Sequence, residues 1–295
     1  MIRLDAATVL LQWAAGGLLF LWVTGRRRQV GLGYGWLLRS VFGVMAVGTV
    51  VVGGFDGGAA AAARDLGALG CALGAGLALA VSVARRRAGV AGEHERRERR
   101  AARLQPVLAA LMPEYRHQRG QKHGQEGDAS PEFPSALDLV APVLGFVGLV
   151  AAGVAAGGPD GLAVVRTLVG ALFLGAVTDA MLLGHWYLVQ PGLSREPLFE
   201  MVRWCAVVWP LEVAALLWPT GMASVWSGAV DDGYGGLLGW FWAACAVATI
   251  VLVGVTRAAL CERQYSAVMA ATGLLYLAIL TAFGTDLVAR AVLAA

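Results

Sequence analysis

Between Leu162 and Val189 the chain is almost free of charge, yet it carries Asp179 and His185 with Thr178, Trp186, Tyr187 and Gln190 around them. A carboxylate at membrane depth costs about 2.5–3.5 kcal/mol to insert, so such a residue faces protein or water and commonly marks a pathway or a ligand site. Imidazole titrates near neutral pH and can pass a proton or donate to a ligand oxygen. At 100° per residue, Gly175, Asp179, Trp186 and Gln190 share one helical face, while Thr167, Ala171, Thr178 and His185 share another. Six residues correspond to about 9 Å along a helix axis. Asp179 and His185 therefore cannot touch directly; a water or a bound molecule would have to join them. Trp186 and Tyr187 also suit anchors at the membrane–water boundary, where such side chains concentrate. A segment polar over so broad an arc must be enclosed by neighbours.

The remaining charges in apolar stretches have structural explanations. Arg166 and Glu212 are expected to form an ion pair between adjacent helices, and Asp286 and Arg290, four residues apart, to pair within one. Pro210 precedes Glu212 by two positions and removes a backbone donor, which favours a kink beside the acid. Arg39 has a stem long enough to snorkel to the membrane surface.

Several chemistries lack their residues. One intramembrane histidine cannot supply the paired axial ligands of a two-haem cytochrome. No metal site is expected: His94, His117 and His123 match no strong ligand spacing, and the four cysteines form no C-x-x-C pair. Gly31 and Gly33 precede no Rossmann unit. Asp231, Asp232 and Gly233 lack the further acids of a metal–phosphate site, and Ser227 has no partner histidine on its side.

These residues need elements that hold them. The sequence is 58% hydrophobic and 15% charged, with a mean hydropathy of +0.66, against about 45–50% apolar and about 25% charged in soluble domains. Charges cluster between apolar runs long enough to cross a hydrocarbon core of about 30 Å. Backbone groups in lipid must be satisfied internally, and no barrel-like alternation is present, so the runs are helices. The reading is an all-α, polytopic integral membrane bundle of about eight spans. They run over about 7–24, 36–53, 66–84, 136–157, 162–189, 197–218, 237–256 and 267–288. Residues 1–84 thus hold three spans and 136–295 hold five.

Basic residues set the orientation. Arg26, Arg27 and Arg28 with Arg39, then Arg85, Arg86 and Arg87, then Arg195 and Arg203, then Arg257 and Arg263 fall on one side of successive spans. Asp56, Asp160, Asp231 and Asp232 fall on the other, with Arg64 as an exception. The expectation is an inner-membrane protein with the arginines in the cytoplasm and both termini outside. The segment 85–135 then becomes a basic cytoplasmic loop. From Glu93 to Arg103 acids and bases alternate, and Leu104, Val107, Leu108, Leu111 and Met112 then recur at helical spacing, suiting a surface helix, with the 85–119 part of the loop near anionic lipid headgroups. From Gly120 to Pro134 the composition resembles a disordered linker. Basic residues there lack interleaved aromatics, so no nucleic-acid partner is expected.

Packing should use small residues, since lipid supplies no hydrophobic contrast between helices. Gly70 and Gly74, the row Ala68, Ala72, Gly76 and Ala80, and the pair Gly153 and Gly157 provide them. A weak similarity between the turns at Arg26 and Arg257 is parallel in orientation, not inverted.

Two function classes fit, with a non-catalytic assembly protein as a third. The first is a haem-free membrane subunit of a redox complex that binds a quinone, with His185 or Tyr187 donating to a quinone carbonyl and Asp179 handling a proton, and that docks a peripheral redox subunit. The second is a proton-coupled carrier of a small solute, with Asp179 as the coupling group and Glu212 as a second acid.

Overall fold

The computed structural model describes residues 5–55, 58–86, 133–156, 161–190 and 192–293, together with Ala102. Among them stand eight long helices and no strand: α1 (Ala6–Gly25), α2 (Leu32–Gly53), α3 (Ala59–Ala84), α4 (Val140–Ala156), α5 (Leu162–Val189), α6 (Glu196–Leu217), α7 (Leu237–Cys261) and α8 (Tyr265–Leu293). Seven of these elements are long and apolar enough to cross a membrane, α4 being counted with the 3₁₀ turn Ser135–Leu139 that leads into it. The exception is α6, which carries Glu196, Glu200, Arg203 and Glu212. It nevertheless runs between the same two ends as its neighbours.

Hydrogen bonds define those ends. At one, Arg26 and Arg27 of the α1–α2 turn reach Glu200 at the start of α6. Arg195 donates to the carbonyls of Leu260, Glu262, Arg263 and Gln264 in the α7–α8 turn, and Tyr265 donates to the Tyr187 carbonyl at the end of α5. At the other, Arg64 pairs with Asp5, and Arg290 donates to the Arg166 carbonyl. The arginine clusters of successive turns thus share one end, called here the basic end.

The helices group as two rings of four. In the first, α1 packs on α2, α2 on α3, α3 on α4, and α4 returns to α1; in the second, α5, α6, α7 and α8 close in the same order. The rings meet along α1 and α5. These two helices are the enclosed ones: 67% and 78% of their apolar windows are buried, against 33–39% for the five other helices that qualify as spanning. Gly16 and Gly175 carry this crossing. A Cβ on Gly175 would stand 2.6 Å from the Gly16 Cα, so the backbones touch where no side chain fits. Both α1 and α5 run toward the basic end; the similar turns at Arg26 and Arg257 do not occupy equivalent places in the two rings.

Within the first ring, Gly67 lies on Gly148, and Gly74 on Ala141. Gly70 meets the Leu144 side chain, whereas Gly76 faces open space and Ala80 is exposed. Gly153 packs instead on Val164 of α5.

Element ends differ from the apolar runs in an informative way. Helix α3 begins at Ala59, seven residues before the apolar run read from Leu66, because the Ala-rich segment continues the helix through Arg64 and Asp65. Arg64 is therefore no loop residue. It is 7% exposed, and its guanidinium bridges Asp65 and Asp5, each at 2.8 Å. Arg39 likewise does not snorkel: it is buried, and its Nε and Nη2 donate to the two carboxylate oxygens of Asp138, each at 2.7 Å. The surface helix and linker expected within 85–135, with His94, His117 and His123, lie outside the described residues.

Asp232, in the loop between α6 and α7, is a helix anchor. Its carboxylate accepts from the backbone N–H groups of Gly236, Tyr234 and Leu238, each at 2.9 Å. Those donors, Gly236 foremost, hold its carboxyl below the usual carboxylate range. The stabilisation is complete above the unfolded value of about 3.9 and is lost as pH falls through the lowered folded value. Asp232→Ala is expected to raise amide exchange at Gly236 and Leu238 several-fold at neutral pH; unchanged exchange would remove the anchoring role.

Candidate functional site

Helix α5 turns its Gly175–Asp179–Trp186 face toward the first ring. Asp179 is fully buried. Ten residues, about 15 Å, separate it from Val189 at the basic end, and seventeen, about 25 Å, from Leu162. Around the carboxylate stand the hydroxyls of Tyr34 on α2 and Thr24 on α1, with the Cys205 thiol of α6 beside them. Neither hydroxyl is donated to it. Tyr34 donates to the main-chain carbonyl of Asp179 at 3.4 Å, a long bond, while Thr24 donates to the carbonyls of Phe20 and Leu21 at 3.1 and 2.9 Å. Both carboxylate oxygens are left without a hydrogen-bond partner. In a water-excluded interior, two such acceptors need a proton, a water or a ligand donor.

Tyr34 joins this acid to the basic end. It is 2% exposed, and it forms part of the wall of a cleft of about 60 Å³ that is also lined by Gly25, Arg28, Gly31, Gly35, Arg39 and Asp138. On its other side the Tyr34 ring leans against Trp186, with centroids 5.8 Å apart. A single phenol thus separates the cleft from Asp179.

The other residues of the polar stretch disperse. Thr178 accepts from the Trp13 indole at 2.9 Å, tying α5 to α1. His185 is exposed on the outer surface of the bundle, its Nδ1 3.2 Å from the Tyr276 hydroxyl of α8. The Trp186 indole donates to Gln190 at 2.9 Å. Tyr187 is buried and donates to the Ser194 carbonyl, closing the turn between α5 and α6. Asp179 and His185 accordingly serve different surroundings: one the seam between rings, the other the lipid-facing surface.

A second buried polar group lies toward the opposite end. Asp286 holds the Arg290 Nε at 2.9 and 2.8 Å. Glu212 is fully buried among Asp286, Arg290 and Arg166, yet both its oxygens lack a hydrogen-bond partner. Arg166, the partner the sequence offers it, instead donates to the carbonyls of Ala215 and Trp218 at 2.9 and 2.6 Å. The last carbonyls of α6 have no intrahelical donor, and Arg166 supplies one. Gly170 makes the space for this cluster: a Cβ there would stand 2.6 Å from Asp286 and 2.9 Å from the Gln12 amide.

Tyr34, Thr24 and Asp138 did not stand out in the sequence, and Arg39 stood out only as a charge able to snorkel. Tyr34 and Thr24 sit near ends of apolar runs, where such residues are usual. Asp138 was the available signal, an acid just inside a span, whose partner only the fold reveals.

The chain is a multi-pass helical membrane protein with a polar seam between two four-helix halves. Neither the protein-family models, nor the curated proteins, nor the solved structures compared with it contain a match.

Proposed function

We propose that this protein is a proton-coupled carrier of a small solute, with Asp179 as the coupling group and the Tyr34 hydroxyl as its link to the cleft. The observation that carries the reading is a fully buried acid, without a hydrogen-bond partner, about 15 Å along α5 from its basic end and at the seam of two four-helix units. Transporters built from two helical halves place coupling sites at such a seam, because the seam is where one half can rock against the other. Tyr34 can rotate its hydroxyl from the Asp179 carbonyl to the carboxylate and hand a proton inward. Glu212, with Asp286 beside it, offers the next acceptor toward the opposite end.

The arginine distribution supports an inner-membrane location, with the basic end in the cytoplasm and both termini outside. A reporter fused after Ala295 that is active only outside the cytoplasm should be active.

The functional test is uptake into proteoliposomes of a pooled mixture of small organic acids, amino acids and sugars, read by mass spectrometry with and without an imposed proton gradient. At least one solute is expected to accumulate only with the gradient. Asp179→Asn should reduce that accumulation about a hundredfold. Accumulation by neither protein, or gradient dependence retained in the variant, would overturn the reading.

A second reading, a haem-free quinone-binding subunit of a redox complex, is favoured by one observation. The lipid-facing pair of His185 and Tyr276 offers a donor to a quinone carbonyl at the membrane surface. The Asp179 that this reading would use for a proton is buried at the seam and not beside the pair, and a bound isoprenoid quinone lost on Tyr276→Phe would support it.

A further inference from the structure

We infer that the cleft at the start of α2 binds a small monoanionic oxyanion, a carboxylate or a phosphodiester, between the α2 N-terminus and the Arg39 guanidinium. The first observation is the helix end. Helix α2 starts at Leu32 behind Gly31, which is extended and provides no capping side chain; the Tyr34 amide turns back to the Gly31 carbonyl at 3.2 Å, and the Leu32 and Gly33 amides before it have no side-chain acceptor. Such an end carries partial positive charge and points its N–H groups outward, an arrangement that receives anions.

The second observation is independent. A helical side chain covers the turn N-terminal to its own Cα, and Arg39 accordingly lies back over Gly35, toward the start of α2. Its Nη1 would be 2.7 Å from a Cβ on that glycine. Asp138 takes Nε and Nη2, and the Phe133 ring lies 4.6 Å from the guanidinium carbon. Nη1 alone remains buried without a partner, on a side chain 6% exposed that lines the cleft. The acid thus fixes the guanidinium so that its third nitrogen lies against Gly35, near the start of α2, on a side chain that lines the cleft. Arg28, at the same cleft, adopts a positive φ of 53°, a conformation disfavoured for a residue with a side chain.

Asp138 already balances the Arg39 charge, so the site has donors for one anionic group and no compensation for a second charge. An oxyanion is the matching chemistry, because a guanidinium N–H and backbone amides together fit its paired oxygens. The inference rests on the carrier reading in one respect: the cleft is also where Tyr34 and Asp179 would pass a proton, so an anion bound there would travel with its neutralising proton.

The source of the oxyanion, a soluble carboxylate or an anionic lipid headgroup, is separable by experiment. The full chain is placed in nanodiscs of phosphatidylcholine alone or with phosphatidylglycerol, and its melting midpoint is measured against acetate concentration. A midpoint that rises with acetate in phosphatidylcholine alone identifies a soluble carboxylate as ligand. A rise only with phosphatidylglycerol, with one such lipid retained in native mass spectrometry, identifies a headgroup. Either result supports the site, provided that Gly35→Ala, which crowds Nη1, weakens it about tenfold. Should Gly35→Ala fail to fold, Arg28→Gly, compatible with the positive φ, is expected to show the same loss. Binding of neither probe, or binding unaltered in the folding-competent variant, overturns the site. Asp179→Asn separates this inference from its premise: acetate binding without gradient-driven uptake would leave the oxyanion site standing and remove the carrier. Uptake without any anion effect would do the reverse.

Discussion

Gly175→Ile is expected to be the most damaging single substitution in the protein. Its side chain would enter the backbone of α1 at Gly16, with a Cβ 2.6 Å from the Gly16 Cα. No flexible neighbour can yield, because what it meets is main chain. The helices must separate over the seam that joins the two rings. Overpacking in a tight core costs about 1–3 kcal/mol and occasionally more; here the expected loss is at the upper end, about 3 kcal/mol. Detergent-purified variant should lose its monodisperse elution at a clearly lower temperature than the native protein. Gly76→Ile is the matched control, since a Cβ at Gly76 meets nothing within 4 Å. Equal thermal behaviour of the two variants would show that the α1–α5 crossing is not a determinant of assembly.

Asp138→Ala should come second. Both oxygens of Asp138 hold Arg39, and each side chain is 6% exposed. Removing the acid leaves a guanidinium with no charge partner in a buried place, which costs about 3–5 kcal/mol when one member of a buried pair is deleted. The pair itself is not a large net contributor, because desolvation of both charges offsets their attraction. The double variant Arg39→Met with Asp138→Leu is therefore expected to recover most of the lost melting temperature. A double variant no better than the single one would mean that the residues stabilise the chain by something other than their charges.

Much of this architecture was legible before any coordinates. Apolar run length, spacing and arginine order point to the all-helical, multi-pass class and to the shared end of the basic clusters; of the eight spans expected, seven are long and apolar enough to cross a membrane. Even α6, the least apolar helix, follows from the alternation of the charges around it. The bounds of α5 were read without error, because polar turns flank it on both sides. Helix α3 was read short, since hydropathy marks where lipid ends and not where a helix ends; the Ala-rich start carries Arg64 and Asp65 inward together as a satisfied pair.

The site was only half legible. Asp179 was conspicuous by type, as any acid in an apolar run is, and helical phase correctly separated it from His185. Its surroundings were hidden because they come from other helices: Tyr34 across a ring boundary, Thr24 one residue from the end of α1, Cys205 from α6. The Arg166–Glu212 pairing suggested by depth is replaced by donation to carbonyls, a competitor that side-chain charge counting omits. Two rings of four were equally hidden, because a ring is a pattern of packing between small residues, and the glycines that could carry it occur throughout the chain.

Proton exchange at Asp179 through Tyr34 is the central claim, and infrared difference spectroscopy of the reconstituted protein across a pH jump reads it most directly. A carboxylic-acid carbonyl band that changes with pH in the native protein should vanish in Asp179→Asn, and in Tyr34→Phe it should respond about a hundredfold more slowly. A native spectrum whose carboxyl bands are unaltered in Asp179→Asn, or a response in Tyr34→Phe as fast as the native one, would contradict it.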